Sequence, residues 1–346
     1  MSKRIGQRTV ELPNRPGIVS WASVAGQKEK DGPYGGQFDY VIKDELNGED
    51  SFEAAERSIL EQAVKLCAQH AQCTLQDVQM LLAGDLLNQI ISAGFAARNL
   101  GVPFYGLYGA CSTMSESLSI GSMLADGGFA DRLICATCSH FCTAERQYRM
   151  PLELGNQRPP TAQWTVTGAG GAFISYMGGG NGKKMAQKTP AITMATFGKV
   201  VDFGITDVNN MGAAMSPSCA HTLLTHLQET GRNADYYDLI VTGDLGALGS
   251  RILKDLTWEK GVDIAENHVD CGEIIYNVIE DEFQGGSGAG CSAVVFNSYI
   301  YDKLKRGRLR RVLFLATGAL LSTVSSGQGE SIPCIAHAVS VERTDL

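Results

Sequence analysis

Cys111-Ser112 and Cys291-Ser292 stand 180 residues apart in this chain, and so do the triplets Cys135-Ala136-Thr137 and Leu315-Ala316-Thr317. An equal offset in two independent places marks an internal duplication, which commits both halves to one plan of elements. The plan can be read twice. A helical stretch (49–71) precedes an apolar run ending in AGDL (83–86), the Cys111 turn with its helix, and the strand-like DRLICATC. A second helical stretch (216–231) precedes an apolar run ending in TGDL (242–245), the Cys291 turn with its helix, and the strand-like RRVLFLATG. Strands alternating with helices predict an α/β fold whose sheets are covered by helices. The 346 residues exceed one ordinary domain and divide into an N-terminal half, 1–185, and a C-terminal half, 186–346, with glycine-rich 177–185 as the connection.

Bulk properties narrow the function. A hydrophobic fraction of 44% and a charged fraction of 19% are globular. The net charge of -8, read with no basic run of the kind that tracks phosphates, excludes nucleic acid as a partner. Ten scattered cysteines and an N-terminus without an apolar core predict a reducing, intracellular setting. The longest apolar runs, such as 311–322, fall short of the roughly 20 residues that span a bilayer.

Cys111 lies between an apolar, glycine-broken stretch and a helix marked by Met114, Leu118 and Met123. A cysteine at such a turn meets unpaired N–H groups and the positive end of a helix dipole, which suit acyl transfer or anion binding; a packed small side chain is the plain alternative. Cys135, Cys138 and Cys142, with His140 among them, have a metal-like spacing. Strand alternation sends Cys135 and Cys138 to opposite faces, and the duplicate strand has no thiols, so no metal site is expected there. The sequence TGAGGAF (167–173) lacks the spacing of a dinucleotide loop, and no cofactor is expected. The proline-rich stretch 143–160 carries Arg146, Arg149 and Arg158 as candidate anion clamps, and Asp85 and Asp244 are either caps or ligands.

The stretch YGACSTMSESLSIGSMLADGG resembles the nucleophile elbow of the thiolase and β-ketoacyl synthase superfamily, and the resemblance covers nearly the whole chain. It implies a thiolase-like duplicated αβαβα layered fold with two pseudo-symmetric halves, and a homodimer through the first-half strand at CATCSH (135–140). In the condensing members a histidine follows the second-half strand and an asparagine opens the next glycine turn; here those positions hold Gly243 and Gly286. No histidine lies between His226 and His268, and no asparagine between Asn277 and Asn297. Condensation needs such groups at the carbanion and its oxyanion, each worth roughly 10²- to 10⁴-fold, so loss of enzymatic activity is expected, together with a wider pocket.

The wording of HFCTAERQYRMPLELGNQRPP and FQGGSGAGCSAV is closest to a branch of the superfamily found in spore-forming bacteria. That resemblance implies binding of dipicolinic acid (pyridine-2,6-dicarboxylate), with calcium as a candidate companion, during its uptake into the developing spore. It also implies membrane partner proteins of the same operon, through which the chain would sit at the spore inner membrane. The expected ligand-binding residues are Cys111, His140, Arg146, Arg149, Gly286 and Ser287. A Cys111-dependent acyltransferase and a purely structural dimeric platform are the competing readings.

Overall fold

A computed structural model describes residues 3–148, 158–176, 189–277 and 283–343; the junction between the halves and Arg149 lie outside the described residues. The first half runs β1 (Gly17–Ala25), α1 (Phe52–His70), β2 (Met80–Gly84), α2 (Ile91–Leu100), β3 (Phe104–Gly106), α3 (Thr113–Asp126), β4 (Arg132–Ser139), α4 (Phe141–Tyr148) and β5 (Gly168–Ser175). The second half runs β6 (Pro190–Thr196), α5 (Met211–Thr230), β7 (Leu239–Thr242), α6 (Gly246–Trp258), β8 (His268–Asp270), α7 (Ala289–Val295), α8 (Tyr301–Lys305), β9 (Arg311–Ala319) and β10 (Cys334–Arg343). A π-helical turn at Phe296–Ile300 carries α7 into α8.

The strand order is β8-β7-β9-β10-β6-β1-β5-β4-β2-β3, in which each five-strand half is the mirror of the other. Strands β2, β3 and β4 pair in parallel, as do β7, β8 and β9, while the other neighbours within each half pair antiparallel. β1 and β6 meet through the single pair Gly17 and Ala191, and two short ladders add to the contact between the halves: Thr9–Glu11 along β6, and Trp164–Thr165 beside Gly286–Ser287.

Apolar residues at helical spacing decide the layers. Met114 and Leu118 of α3 and Val294, Val295 and Phe296 at α7 pack between the two sheets, against Cys135 and Ile174 on one side and Phe314 and Val339 on the other. Ile59, Leu60 and Ala93 cover the outer face of the first sheet beside Ile134 and Phe173. Leu223, Leu227 and Leu253 do the same for the second sheet beside Leu313 and Leu315. The result is the five-layered αβαβα arrangement, and each fully buried Leu or Ile contributes roughly 1.5–3 kcal/mol. Cys135 faces the central layer and Cys138 the outer one, as the alternation requires.

The expected dimer strand is a correction. β4 lies between β5 and β2 with ladder partners on both sides, so the CATCSH strand has no free edge to offer a second copy. The edge of the first sheet is β3, where Tyr105 is 61% exposed.

Two glycines fix the approach to Cys111. A β-carbon on Gly84, at the end of β2, would stand 2.0 Å from the Leu107 carbonyl oxygen, and one on Gly318, near the end of β9, would stand 2.1 Å from that of Gly109. The segment entering the cysteine turn is therefore seated directly on backbone from both halves. Gly318→Ala is expected to cost about 1–3 kcal/mol through overpacking, read as a lower urea midpoint, whereas Gly327→Ala, with nothing within 4 Å, leaves the midpoint nearly unchanged.

Candidate functional site

Cys111 sits in the single turn Ala110–Ser112 that opens α3. Ala110 has φ 51°, a left-handed conformation that a residue with a side chain adopts only when its surroundings impose it. Here the surroundings are the seat on Gly84 and Gly318 and two side-chain bonds. Ser112 Oγ donates to the Gly109 carbonyl at 2.7 Å, and Thr113 Oγ1 donates to the Ala110 carbonyl at 2.7 Å. Cys111 is half-buried, whereas its duplicate Cys291 is buried.

A narrow cleft of ≈ 490 Å³, counted to its open mouth, lies over Cys111. The enclosed space within it is only ≈ 50 Å³, below the roughly 300–1,000 Å³ of small-molecule sites, so a ligand enters only as the lining side chains part. Leu86, Met211, Met215 and Leu321 form its apolar walls, with Tyr108 and Tyr148 on one side and Thr165, Ser287 and Gly288 on another. Both halves contribute. Most hydroxyls are already engaged: Tyr148 donates to the Leu86 carbonyl, Tyr108 and Tyr148 are 3.0 Å apart, and Thr165 donates to the buried Glu145 at 3.0 Å. No Lys, Arg or His lines the cleft among the described residues.

Beneath the cysteine lies Asp244, fully buried just after β7. It accepts from the Gly288 N–H at 2.9 Å, from Thr317 Oγ1 at 2.9 Å and from the Cys111 thiol, with Ser287 Oγ at 3.4 Å. Burial pushes its carboxyl up to about 7, and the hydrogen bonds from Cys111 and Gly288 oppose that rise. A carboxyl group beside the thiol gives it an acceptor and no positive charge, the reverse of the imidazolium that activates a nucleophilic cysteine. Its counterpart Asp85 is a cap: it accepts from the Leu87 and Ala93 N–H groups, each at 2.7 Å, and burial raises it to about 6. Asp270, which burial raises to about 6, likewise accepts from the N–H groups of Leu245 and Gly246.

The expected wider pocket is absent. A β-carbon at Gly243 would lie 3.0 Å from Ala316 Cα, and one at Gly286 would lie 2.7 Å from Ile275 Cγ2 and 3.2 Å from Cys291 Sγ. Neighbouring backbone and apolar atoms occupy that space, so neither glycine faces the cleft. Of the expected ligand residues, Cys111 and Ser287 line it; Gly286 lies beneath and accepts from Gln163 through its carbonyl.

His140 and Arg146 are elsewhere. His140 is fully buried, donates through Nε2 to the Glu45 carbonyl at 2.8 Å and accepts from the Cys142 N–H through Nδ1 at 3.1 Å; burial lowers it to about 4, which keeps the ring neutral. Arg146 pairs with Glu53 on the outer surface. Arg158 pairs with Glu145 at 3.0 Å and lies over Trp164, outside the cleft. Glu45, His140 and Cys142 approach one another closely enough to suggest a metal, but both ring nitrogens of His140 are committed to backbone groups.

The sequence left Asp244 undecided between cap and ligand, and it gave no sign of Tyr108, Tyr148, Thr165, Met211 or Met215. The signal for Asp244 was present in its position one residue after Gly243, because a shift of one along an extended chain exchanges the faces.

Comparison with known proteins agrees with this fold. Solved structures of OleA from Xanthomonas campestris share the thiolase-like fold: a glutamate-to-glutamine variant matches with a TM-score of 0.60 at 14% identity over 95% of this chain and 98% of that one. A glutamate-to-aspartate variant bound with cerulenin matches with a TM-score of 0.61 at 12% identity over 95% and 96%. Such identities speak for the fold alone. Stage V sporulation protein AD of Bacillus subtilis (strain 168) is 46% identical over 344 residues, 99% of this chain and 98% of that protein. The model of the stage V sporulation protein AD family matches residues 6–342, and the chain belongs to that family.

Proposed function

We propose that this chain serves sporulation as a non-condensing binding protein, and that its Cys111 cleft takes dipicolinic acid as the neutral calcium chelate. The observation that carries the reading is a cleft beside a thiol–carboxyl pair that has no cation in its described lining and no room for a side chain at Gly243 or Gly286. A free dianion placed there would be desolvated against apolar walls and above Asp244 with no opposite charge. One calcium ion cancels both carboxylates of the ligand. The flat complex can then lie between Leu86, Met211, Met215 and Leu321, with the Ser287 hydroxyl turning from its 3.4 Å contact with Asp244 to meet a carboxylate. Calcium is cargo in this reading.

The name of the relatives supports the sporulation role; the membrane partners are what the resemblance implies, and we propose the β3 edge that carries Tyr105 as the homodimer contact. The acyltransferase reading keeps one point in its favour, the half-buried cysteine at a helix start. Its test is turnover: purified protein with acetyl and malonyl thioesters is expected to release no condensation product, and a rate abolished by Cys111→Ser would restore the enzyme.

Isothermal titration is expected to show the calcium chelate binding at least about tenfold more tightly than dipicolinate in the presence of a calcium chelator, a difference of about 1.4 kcal/mol. A bulky Cys111→Trp substitution should remove both signals; unchanged binding would place the ligand elsewhere.

Titration against pH separates the two ligand forms. Asp244 is raised to about 7, so it is neutral below that pH and charged above it. Affinity for the calcium-free dianion should therefore fall as pH rises through about 7, affinity for the chelate should change little, and Asp244→Asn should flatten the dianion profile.

A further inference from the structure

Six of the nine residues 303–311 are basic (Lys303, Lys305, Arg306, Arg308, Arg310 and Arg311) and none is acidic, which corrects the reading that the chain has no basic run. On a formal charge of -8 for the whole chain, this segment carries +6 and the remainder -14. The cations sit at the C-terminal end of α8, on the turn at Gly307 (φ 74°), and at the start of β9. The duplication supplies an internal control. At nearly the same offset, 125–132 has the sequence ADGGFADR and turns on Gly128 (φ 75°) as the second half turns on Gly307, but Asp126 and Asp131 stand where the second half has basic residues. One plan of fold thus carries a net charge of -1 in the first loop and +5 in the second, so the basic residues are not needed for making the turn.

Nearby acids do not neutralise the patch. Asp302 pairs with Arg306 at 2.8 Å, Asp238 accepts from the backbone N–H groups of Arg310 and Arg311, and Asp39 accepts from Ser23. Lys305, Arg308 and Arg310 are exposed and have no carboxylate partner among the described residues. Lys305 Nζ lies 4.4 Å over the Trp21 ring and Lys303 Nζ 4.2 Å over Tyr299, so aromatic faces hold the ammonium groups up toward solvent. Lys303, Arg306 and Arg308 rim a surface hollow of ≈ 960 Å³, counted to its open mouth, together with Ser298, Gln37 and Asp39.

We infer that this patch docks the protein directly on an anionic lipid bilayer. A polybasic surface of this kind is attracted to anionic headgroups over about a Debye length, some 10 Å at 0.1 M salt. The rest of the chain is acidic, so the attraction orients the molecule with this end down. Single-stranded nucleic acid fits less well, because it needs open aromatic faces for stacking. Trp21 is packed between Tyr301 at 4.0 Å and Lys305, and Tyr299 between Tyr34 at 4.1 Å and Lys303. β9 begins at Arg311 in the patch and ends at Ala319 in the Cys111 cleft, and nine residues at about 3.3 Å each separate the two by on the order of 30 Å. Docking therefore leaves the cleft open. The expected membrane attachment through partner proteins gains a contact of the chain's own, and no helix among the described residues is long and apolar enough to cross a membrane.

The test is co-sedimentation of full-length protein with vesicles of phosphatidylglycerol and phosphatidylcholine, with vesicles of phosphatidylcholine alone, and with single-stranded DNA. Binding is expected only to the anionic vesicles, and it should weaken as salt is raised. The triple variant Lys305→Glu, Arg308→Glu, Arg310→Glu should bind at least about tenfold more weakly. A control with the same net charge but changes on the outer layers, Lys65→Glu, Arg98→Glu, Lys260→Glu, should lose far less, and circular dichroism of both variants verifies folding. Absence of binding to anionic vesicles, equal binding to uncharged ones, tighter binding to DNA, or equal losses in the two variants would overturn the proposal.

Discussion

Contact of backbone with backbone at Gly84 and Gly318 governs the rest of this molecule. The first glycine ends a strand of one half and the second lies near the end of a strand of the other, and between them they seat the segment Leu107–Gly109. Strands β2 and β9 therefore both have to be in place before the cysteine turn can close. The left-handed Ala110 is the local cost of that closure, of order 1–3 kcal/mol, and the packing of two sheets against α3 sustains it. The cleft inherits its position from the meeting of the halves.

The same geometry supports the proposal of a quiet site on a fold shared with catalytic proteins. Keeping a cysteine at a helix start preserves only half of a nucleophilic device. The other half is a cationic or donor partner, and here its place is taken by a buried carboxyl group held by Gly288 and Thr317, while apolar atoms close the space where larger side chains would project. On that proposal catalysis was not lost by opening a hole. On it, the site was refilled instead, leaving a slot with apolar walls and little charge.

Much of the fold was legible in the sequence because duplication is a long-range signal that needs only two matching offsets. The position of Cys111 could be read for the same reason, and the opposite facing of Cys135 and Cys138 followed from alternation alone. Side chains brought in by loops could not be read. His140 and Arg146 belong to α4 and its approach, and whether they face the cleft depends on where that short helix docks; Glu45 and Glu53, both remote in sequence, decide it. The dimer strand failed similarly, since strand order within a sheet is not written in any one strand. Asp244 was missed as a cleft neighbour by a single residue of register.

Buried titratable groups such as Asp244 and His140 have a consequence for the response of the whole fold to acid. Glu29 and Asp244, raised to about 7, Asp85 and Asp270, raised to about 6, and Glu56, also raised, all by burial, take up protons when the chain folds at mildly acid pH. Their stabilisation is complete below the unfolded carboxyl values and is lost as pH rises through 6 to 7. His140 and His337, lowered to about 4, and His226 and His268, lowered to about 3, also by burial, release protons on folding; their contribution is present above 6.5 and is lost as pH falls. The two sets act in opposite directions between roughly pH 4 and 6.5, so the buried histidines offset part of the pH dependence that the buried carboxyls create. The polypeptide is, in effect, a partly self-compensating buffer, in which two kinds of buried group damp each other's response to acid.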